Sequence, residues 1–261
     1  MTGIDLSKAP NSDVVEVSLI GPGYGECCLI HLQDGNWIVI DSCIDSQSGS
    51  PAALNYLSEI GVDASTAVKL FVITHFHDDH IRGSFDVFEK CKSAEIVISS
   101  AMSKEEFLTY VTRFEAQDLA SGSGVSEISR IFDLARDSKR QLRLGGADKR
   151  FLHIPGKTAA LPECNVWTLS PSDAEIQKFL TRIGSMVPKL KETKFRALSD
   201  HLNDFSVVTF VEIGDLCILL GADLEQRKNK FLGWKAIVNS AGRPQRTAEV
   251  FKIAHHGSKT G

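Results

Sequence analysis

Nowhere in the 261 residues do apolar side chains run uninterrupted for the roughly eighteen positions that a membrane span needs. From Met1 to Val14 the chain carries Asp, Lys and Pro where a signal peptide needs an apolar stretch, so the expected location is the cytoplasm. Cysteine is sparse and unpatterned: Cys27, Cys28, Cys43, Cys91, Cys164 and Cys217 form no Cys-x-x-Cys pair and no disulfide-scaffold spacing, which predicts reduced, buried thiols. Charge is nearly balanced, with 29 Lys and Arg against 33 Asp and Glu, and a net charge of -4 excludes a global electrostatic pull toward nucleic acid. Repeats and low-complexity segments are missing, which sets aside collagen-like, coiled-coil and disordered classes. What is present, 43% hydrophobic and 24% charged residues, describes a single domain over 1–261 able to bury a full core. Histidine is scarce too, at eight, yet three fall within residues 75–80 and two more are adjacent at 255 and 256.

Periodicity places strands at Val14–Ile20, Cys27–Leu32 and Trp37–Ile40, the last two joined through Asp34-Gly35, a strong hairpin signal. Gly21 to Gly25 is not followed by a helix, so a dinucleotide- or phosphate-binding loop fails and a turn remains. Ser50-Pro51 opens a helix closed by Gly61, with Leu54, Leu57 and Ile60 on one face. Val68–Thr74 is almost wholly apolar and rich in β-branched residues, as a strand buried on both faces requires. After a short strand at Ile96–Ile98, helices are expected from Ser103, capped with Glu106, to Gln117, and from Val125 to Ser138, with a Ser-Gly linker at 121–124 between them. Strands at Phe151–Ile154 and Val166–Ser170 lead to a helix capped by Ser172 and Glu175, and residues 182–204 read as irregular. A hairpin of Ser206–Ile213 and Leu216–Leu220, a helix from Glu225 to Val238 and a strand at Val250–Ala254 complete a layered α/β pattern.

The buried run at Val68–Thr74 discharges into Thr74-His75-Phe76-His77-Asp78-Asp79-His80. Three imidazoles and two carboxylates in one strand-end loop offer the mixed nitrogen and oxygen donors that borderline metals such as zinc favour. Further candidates flank other apolar strands: Asp41 after Trp37–Ile40, His201 before the Ser206 strand, Asp223 after Leu216–Leu220, and His255-His256 after Val250–Ala254. A lone Asp at a strand end is usually a turn former, but four such positions together weaken that reading.

On these residues the chain resembles the metallo-β-lactamase fold. His75, His77, Asp79 and His80 match its His-x-His-x-Asp-His signature, and the other candidates follow in that family's order. More narrowly it is similar to the soluble hydrolase domain of ComEC-type competence proteins, through Val17–Cys43, Ile73–Gly83, Asn203–Ser206, Leu219–Glu225 and the Lys252–Lys259 segment with its His-His-Gly-Ser. The resemblance implies a four-layer αββα sandwich, here with a helical insertion around 103–140. It also implies two divalent metal ions, zinc or alternatively manganese. One would take His75, His77 and His201, the other Asp79, His80 and one of His255 and His256, with Asp223 bridging and Asp41 structural. The third-histidine segment lacks the usual Gly-His-Thr, so either His201 or Asn203 fills that place, and Gly221-Ala222-Asp223 stands where Thr-Gly-Asp is usual.

A bridging water activated between two ions suits phosphodiester hydrolysis, the chemistry expected for a nuclease or phosphodiesterase, and it equally suits esters, lactones or thioesters. A metal-binding, catalytically silent module of a larger assembly is the third reading. Asp79, His255 and His256 are the candidate catalytic residues, and Ser258 and Lys259 could contact phosphate oxygens. Two basic stretches, Arg136 to Arg150 and Lys189 to Arg196, are candidate paths for a nucleic-acid backbone, or else solvated faces. Domains of this kind normally continue beyond a last histidine motif, so a further protein region past Gly261 is expected.

Overall fold

The computed structural model describes residues 7–21, 25–115, 124–186 and 202–261. In chain order the elements are β1 (Glu16–Ile20), β2 (Cys27–His31), β3 (Trp37–Ile40), α1 (Ala52–Glu59), α2 (Ala64–Ala67), β4 (Val68–Ile73), α3 (Asp78–Ile81), α4 (Ser84–Lys90) and β5 (Glu95–Ser99). They continue with α5 (Glu105–Glu115), α6 (Gly124–Ser138), β6 (Leu142–Gly145), β7 (Lys149–Ile154), β8 (Cys164–Thr168), α7 (Asp173–Met186), β9 (Thr209–Ile213), β10 (Leu216–Leu220), α8 (Trp234–Asn239) and β11 (Val250–Lys252). This is an α/β fold with two mixed sheets and helices. It divides into two compact units, one of Met1–Val97, Gly122–Arg143 and Pro155–Pro162, the other of Ile98–Ser121, Leu144–Ile154 and Glu163–Gly261. The two expected helices of the 103–140 region are both present, α5 counted with the second unit and α6 with the first.

The first unit is built on the sheet ordered β1-β2-β3-β4-β5-β6. The Asp34-Gly35 hairpin pairs β2 with β3 antiparallel, Cys28 opposite Ile40 and Ile30 opposite Ile38. β3 then pairs parallel with β4, Ile38 beside Leu70 and Ile40 beside Val72. Every residue of β2 and β3 is buried, and Leu29, Ile30, Ile38, Val39, Leu70 and Phe71 have no measurable exposure. That burial on both faces is why these strands read as unbroken apolar runs. Each such side chain contributes about 1.5–3 kcal/mol of transfer free energy.

The second unit carries the sheet ordered β11-β10-β9-β8-β7. The Gly214-Asp215 turn joins β9 and β10 antiparallel, Ile213 opposite Leu216, while β11 runs parallel to β10, Leu220 beside Lys252. Leu169, Val208, Phe210, Cys217, Leu224 and Ile237 form a core cluster, with Trp167 and Trp234 packed against it. The apolar face of α5 packs in this unit. Phe107, Tyr110 and Val111 are buried, and the Phe179 ring of α7 lies 6.2 Å from Phe107 and 4.3 Å from Phe205 between centroids.

Some expectations need correction. Residues 182–186 are not irregular but complete α7, and the rest of that stretch up to 201 lies outside the described residues. The helix expected from Glu225 forms only at Trp234–Asn239, because backbone donors before it are taken elsewhere: Gln226 N–H bonds Thr260 O at 2.6 Å and Gly233 N–H bonds Glu175 Oε1 at 2.6 Å. β6, α2, α3 and α4 carry no signal singled out in the sequence. All six cysteines are buried and unbridged, as their spacing predicts.

Candidate metal centre

Each unit contains a pair of parallel strands that lead into polar residues, and that pairing is what brings the polar residues together. In the first unit β3 leads to Asp41 and β4 to Thr74-His75. Asp41 N–H bonds Val72 O at 2.8 Å, which sets the Asp41 side chain beside the end of β4. Its carboxylate accepts three hydrogen bonds: from Thr74 N–H at 2.7 Å, from Thr74 Oγ1 at 2.7 Å and from His80 Nδ1 at 2.8 Å. Asp41 is 3% exposed; burial pushes its pKa upward, and the hydrogen bond and charge of His80, with the Thr74 bonds, pull against that rise.

These bonds dictate tautomers. The Thr74 hydroxyl proton goes to Asp41, so Thr74 Oγ1 accepts from His75 Nδ1–H at 2.9 Å, and His75 carries its lone pair on Nε2. His75 Nε2 lies 3.0 Å from His77 Nδ1. His80 likewise donates from Nδ1 to Asp41, which puts its lone pair on Nε2, 3.9 Å from Asp79 Oδ2. Carboxylate and hydroxyl partners that fix the far nitrogen of an imidazole are the usual support of metal-binding histidine. One donor atom each of Asp41, His75 and His80 lies within 4.8 Å of the others, and the hydrogen bonding makes Asp41 the orienting member of that group. The donor set fits a divalent cation: lone-pair nitrogens of buried His75 and His80, with His77 and Asp79 alongside.

The loop is also held by its backbone. Glu26 N–H bonds Asp79 O and Ser42 N–H bonds His80 O, both at 2.8 Å. Gly25, at φ +116, packs so closely that a Cβ would sit 2.7 Å from Cys43 Cβ and 3.0 Å from Asp79 O, so only glycine fits. The rest of that turn, 22–24, lies outside the described residues.

In the second unit β10 leads to Asp223 and β11 to His255-His256, and His255 N–H bonds Ala222 O at 2.9 Å. Ala222, His255 and His256 have φ of 46°, 49° and 50°, and Asp41 in the first unit has 59°. Left-handed backbone at non-glycine residues costs of order 1–3 kcal/mol each, and its concentration at these strand ends is typical of functional sites. Ala222 occupies the position where the Thr-Gly-Asp pattern has the glycine that this conformation favours.

The adjacent histidines take different partners. His256 Nε2 lies 3.7 Å from Oδ2 of the 2%-exposed Asp223. His255 Nε2 faces Asn203 Nδ2 at 3.3 Å, and its Nδ1 lies 2.9 Å from Ser258 Oγ. Asn203 Nδ2 also donates to Glu225 Oε1 at 3.1 Å, while buried Asn203 Oδ1 meets no hydrogen-bond partner among the described residues. Next to it, buried Asp204 binds Lys178 Nζ at 2.6 Å and Arg227 Nε at 2.7 Å. His201 lies outside the described residues.

Sequence reasoning passed over Thr74, Glu26 and Glu225. A Glu26 carboxylate oxygen comes within 4.8 Å of a His80 ring nitrogen. Thr74 was legible only as the residue that joins β4 to the motif; its hydroxyl relay needs the fold. Part of the first basic stretch is engaged within the chain, Arg136 in an exposed surface pair. Arg136 pairs with Asp133 at 2.6 Å, Arg143 pairs with Glu95, and Arg140 donates to the carbonyls of Phe88, Cys91 and Ala94 at 2.5–3.0 Å. The second stretch, Lys189, Lys191, Lys194 and Arg196, lies outside the described residues.

A family model described as the metallo-beta-lactamase superfamily matches residues 20–157, just over half of the chain. The chain belongs to this superfamily. The matched span contains Asp41, His75, His77, Asp79 and His80, whereas Asn203, Asp223, His255 and His256 lie beyond it. Superfamily membership and the clustered His and Asp side chains point to a divalent-metal site. Among solved structures, a metallo-beta-lactamase from Cronobacter sakazakii is 12% identical, with TM-score 0.46, over 92% of this chain and 77% of its own. A B3 metallo-beta-lactamase with an active-site glutamic acid is 11% identical, with TM-score 0.45, over 86% of this chain and 66% of its own. The metallo-beta-lactamase fold protein YhfI from Bacillus subtilis is 13% identical, with TM-score 0.40, over 81% and 63%. The chain thus spans about two thirds or less of the length of two of these proteins. A search of curated proteins finds no match. Among the described residues no helix is long and apolar enough to cross a membrane.

Proposed function

We propose that this chain is a dinuclear metal-dependent hydrolase of phosphodiester bonds, a nuclease or other phosphodiesterase similar to the ComEC-type hydrolase domain. Carried over residue by residue from that resemblance, His75 and His77, with His201 or Asn203, would hold one zinc or manganese ion. Asp79, His80 and His256 would hold the other, and Asp223 would be available to both. The choice of His256 over His255 follows its approach to Asp223, 3.7 Å against the engagement of His255 with Asn203 and Ser258. The observation that carries the reading is the pair of relays from Asp41, through Thr74 to His75 and directly to His80, which place two imidazole lone pairs by buried hydrogen bonds.

Divalent ions bound there supply Lewis acidity, activating water and neutralising charge on a leaving oxygen. The chain's residues do the remainder. Asp79 orients the attacking water, and His255 with Ser258, 2.9 Å apart, presents a hydrogen-bond donor to the leaving group. Lys259 adds a cation for phosphate oxygens.

Metal analysis of the purified protein, with a zinc- and manganese-supplemented screen over single- and double-stranded DNA, RNA, small phosphodiesters and acyl esters, tests this. We expect bound metal, phosphodiester turnover, and a loss of at least about a hundredfold in Asp79→Ala. Turnover of esters alone would move the substrate class to esters, lactones or thioesters. Bound metal with no turnover would make the chain a silent module, and no bound metal would overturn the reading.

A further inference from the structure

Asp78 is the one acidic residue of the histidine loop that the ligand assignment leaves unused. Its Oδ1 accepts from Gly124 N–H, the first residue of α6, at 2.7 Å, and its Oδ2 meets Arg82 at 3.2 Å. α6 is fifteen residues long, so its unpaired first-turn amides and macrodipole favour this carboxylate. The contact is reciprocated one turn later. Glu127 of α6, 9% exposed, accepts from Phe85 N–H in the first turn of α4 at 2.9 Å, and Arg130 both bonds Glu127 at 3.3 Å and lies over the Phe85 ring at 3.9 Å. The start of α6 also abuts the loop backbone: a Cβ on Gly124 would stand 2.0 Å from Phe76 O, the carbonyl between His75 and His77, and 3.1 Å from Ile81 Cγ2. All of these residues belong to the first unit.

We infer that α6 is a brace for the metal-binding loop, with Asp78 and Glu127 as positioning residues and Gly124 as the contact that sets the His75–His77 backbone. α3 supplies the carboxylate for an open amide of α6, and α6 supplies the carboxylate for an open amide of α4, so the three helices are linked in series and a shift of the loop between β4 and α4 strains both bonds. The role concerns where the imidazoles stand. It rests on the metal reading proposed above.

The test is cobalt(II) titration of the full chain, read by affinity and by the visible absorption of the bound ion, which reports ligand geometry independently of turnover. Asp78→Ala is expected to weaken cobalt binding about 10–100-fold, the usual effect of losing a group that orients metal ligands, and to shift the absorption bands. Asp78→Asn keeps an acceptor for Gly124 N–H and is expected to restore wild-type bands and most of the affinity. Gly124→Ala, which forces the Phe76 carbonyl away, is expected to shift the bands with Asp78 intact. Glu127→Gln is expected to match wild type and Glu127→Ala to weaken binding, so the Glu127 pair decides the matter if Asp78→Ala does not fold. Asp86→Ala, on an exposed face of α4, serves as control. Wild-type affinity and bands in Asp78→Ala and Glu127→Ala would overturn the brace while leaving the metal reading intact. No cobalt binding by wild-type protein would overturn both.

Discussion

Asp41 shows how one buried side chain can govern a site without being a ligand in it. Replacing it with Ala leaves Thr74 N–H, the Thr74 hydroxyl and His80 Nδ1–H without this acceptor in a buried region. We expect Asp41→Ala to cost about 3 kcal/mol by denaturant unfolding and to weaken metal binding about 10–100-fold in titration, with Asp41→Asn milder on both counts. His31 is a second residue whose protonation state is dictated by neighbours: Nδ1–H donates to Val14 O at 2.7 Å, and Nε2 accepts from Gly35 N–H at 3.1 Å. Burial pushes its pKa below the ordinary 6.5, against weaker upward pulls from the Val14 bond, Glu16 and Asp34. The unfolded chain therefore takes up this proton first as pH falls, so the stability His31 contributes is complete above about pH 6.5 and is lost below it, through the lowered folded-state pKa. Between about pH 7.5 and 5.5 the melting temperature of wild type should fall more steeply than that of His31→Gln. Equal slopes would show that His31 does not titrate with unfolding. The motif histidines stood out in the sequence because scarce residues clustered, whereas His31 and Thr74 did not, since their partners Val14 and Asp41 lie 17 and 33 positions away.

Helix ends show where local pattern suffices and where it fails. Ser172 and Glu175 form the expected capping box, Ser172 N–H to Glu175 Oε2 at 2.7 Å and Glu175 N–H to Ser172 Oγ at 3.2 Å. The same spacing at Ser103 and Glu106 does not act in that way: Ser103 Oγ donates back to Ser100 O at 3.0 Å, and α5 begins at Glu105. Glu175 has a task its local sequence does not announce, since its Oε1 takes the Gly233 N–H at 2.6 Å and it is 1% exposed. Glu175→Ala should therefore destabilise by about 2–3 kcal/mol in urea unfolding, more than the roughly 1 kcal/mol expected of Ser172→Ala, which loses the cap and an exposed hydrogen bond from Ser172 Oγ to Phe231 O. Equal losses would mean that the Gly233 bond is immaterial. That same bond is one reason the apolar pattern after Glu225 does not become a longer helix.

At the scale of the whole molecule, the near balance of charge is kept by pairing. Arg136→Ala with Arg143→Ala should leave the salt dependence of any DNA binding unchanged, because both guanidiniums face carboxylates of their own unit; a slope shallower by about 2 would show that they contact phosphates. Removing metal with a chelator should lower the melting temperature and restoring zinc should raise it, since an ion bound only by the folded chain stabilises it by mass action. The sequence by itself determined the α/β class of fold, where its core strands lie along the chain and the identity of the histidine motif, because those depend on apolar periodicity and on residues close together in the chain. Only the tertiary structure decided which nitrogen of each imidazole carries the lone pair, which of His255 and His256 approaches Asp223, and that α6 closes on Asp78. Those outcomes depend on hydrogen bonds between groups tens of residues apart, which parallel pairing of β3 with β4 and of β10 with β11, and the packing of α6, bring within 3 or 4 Å.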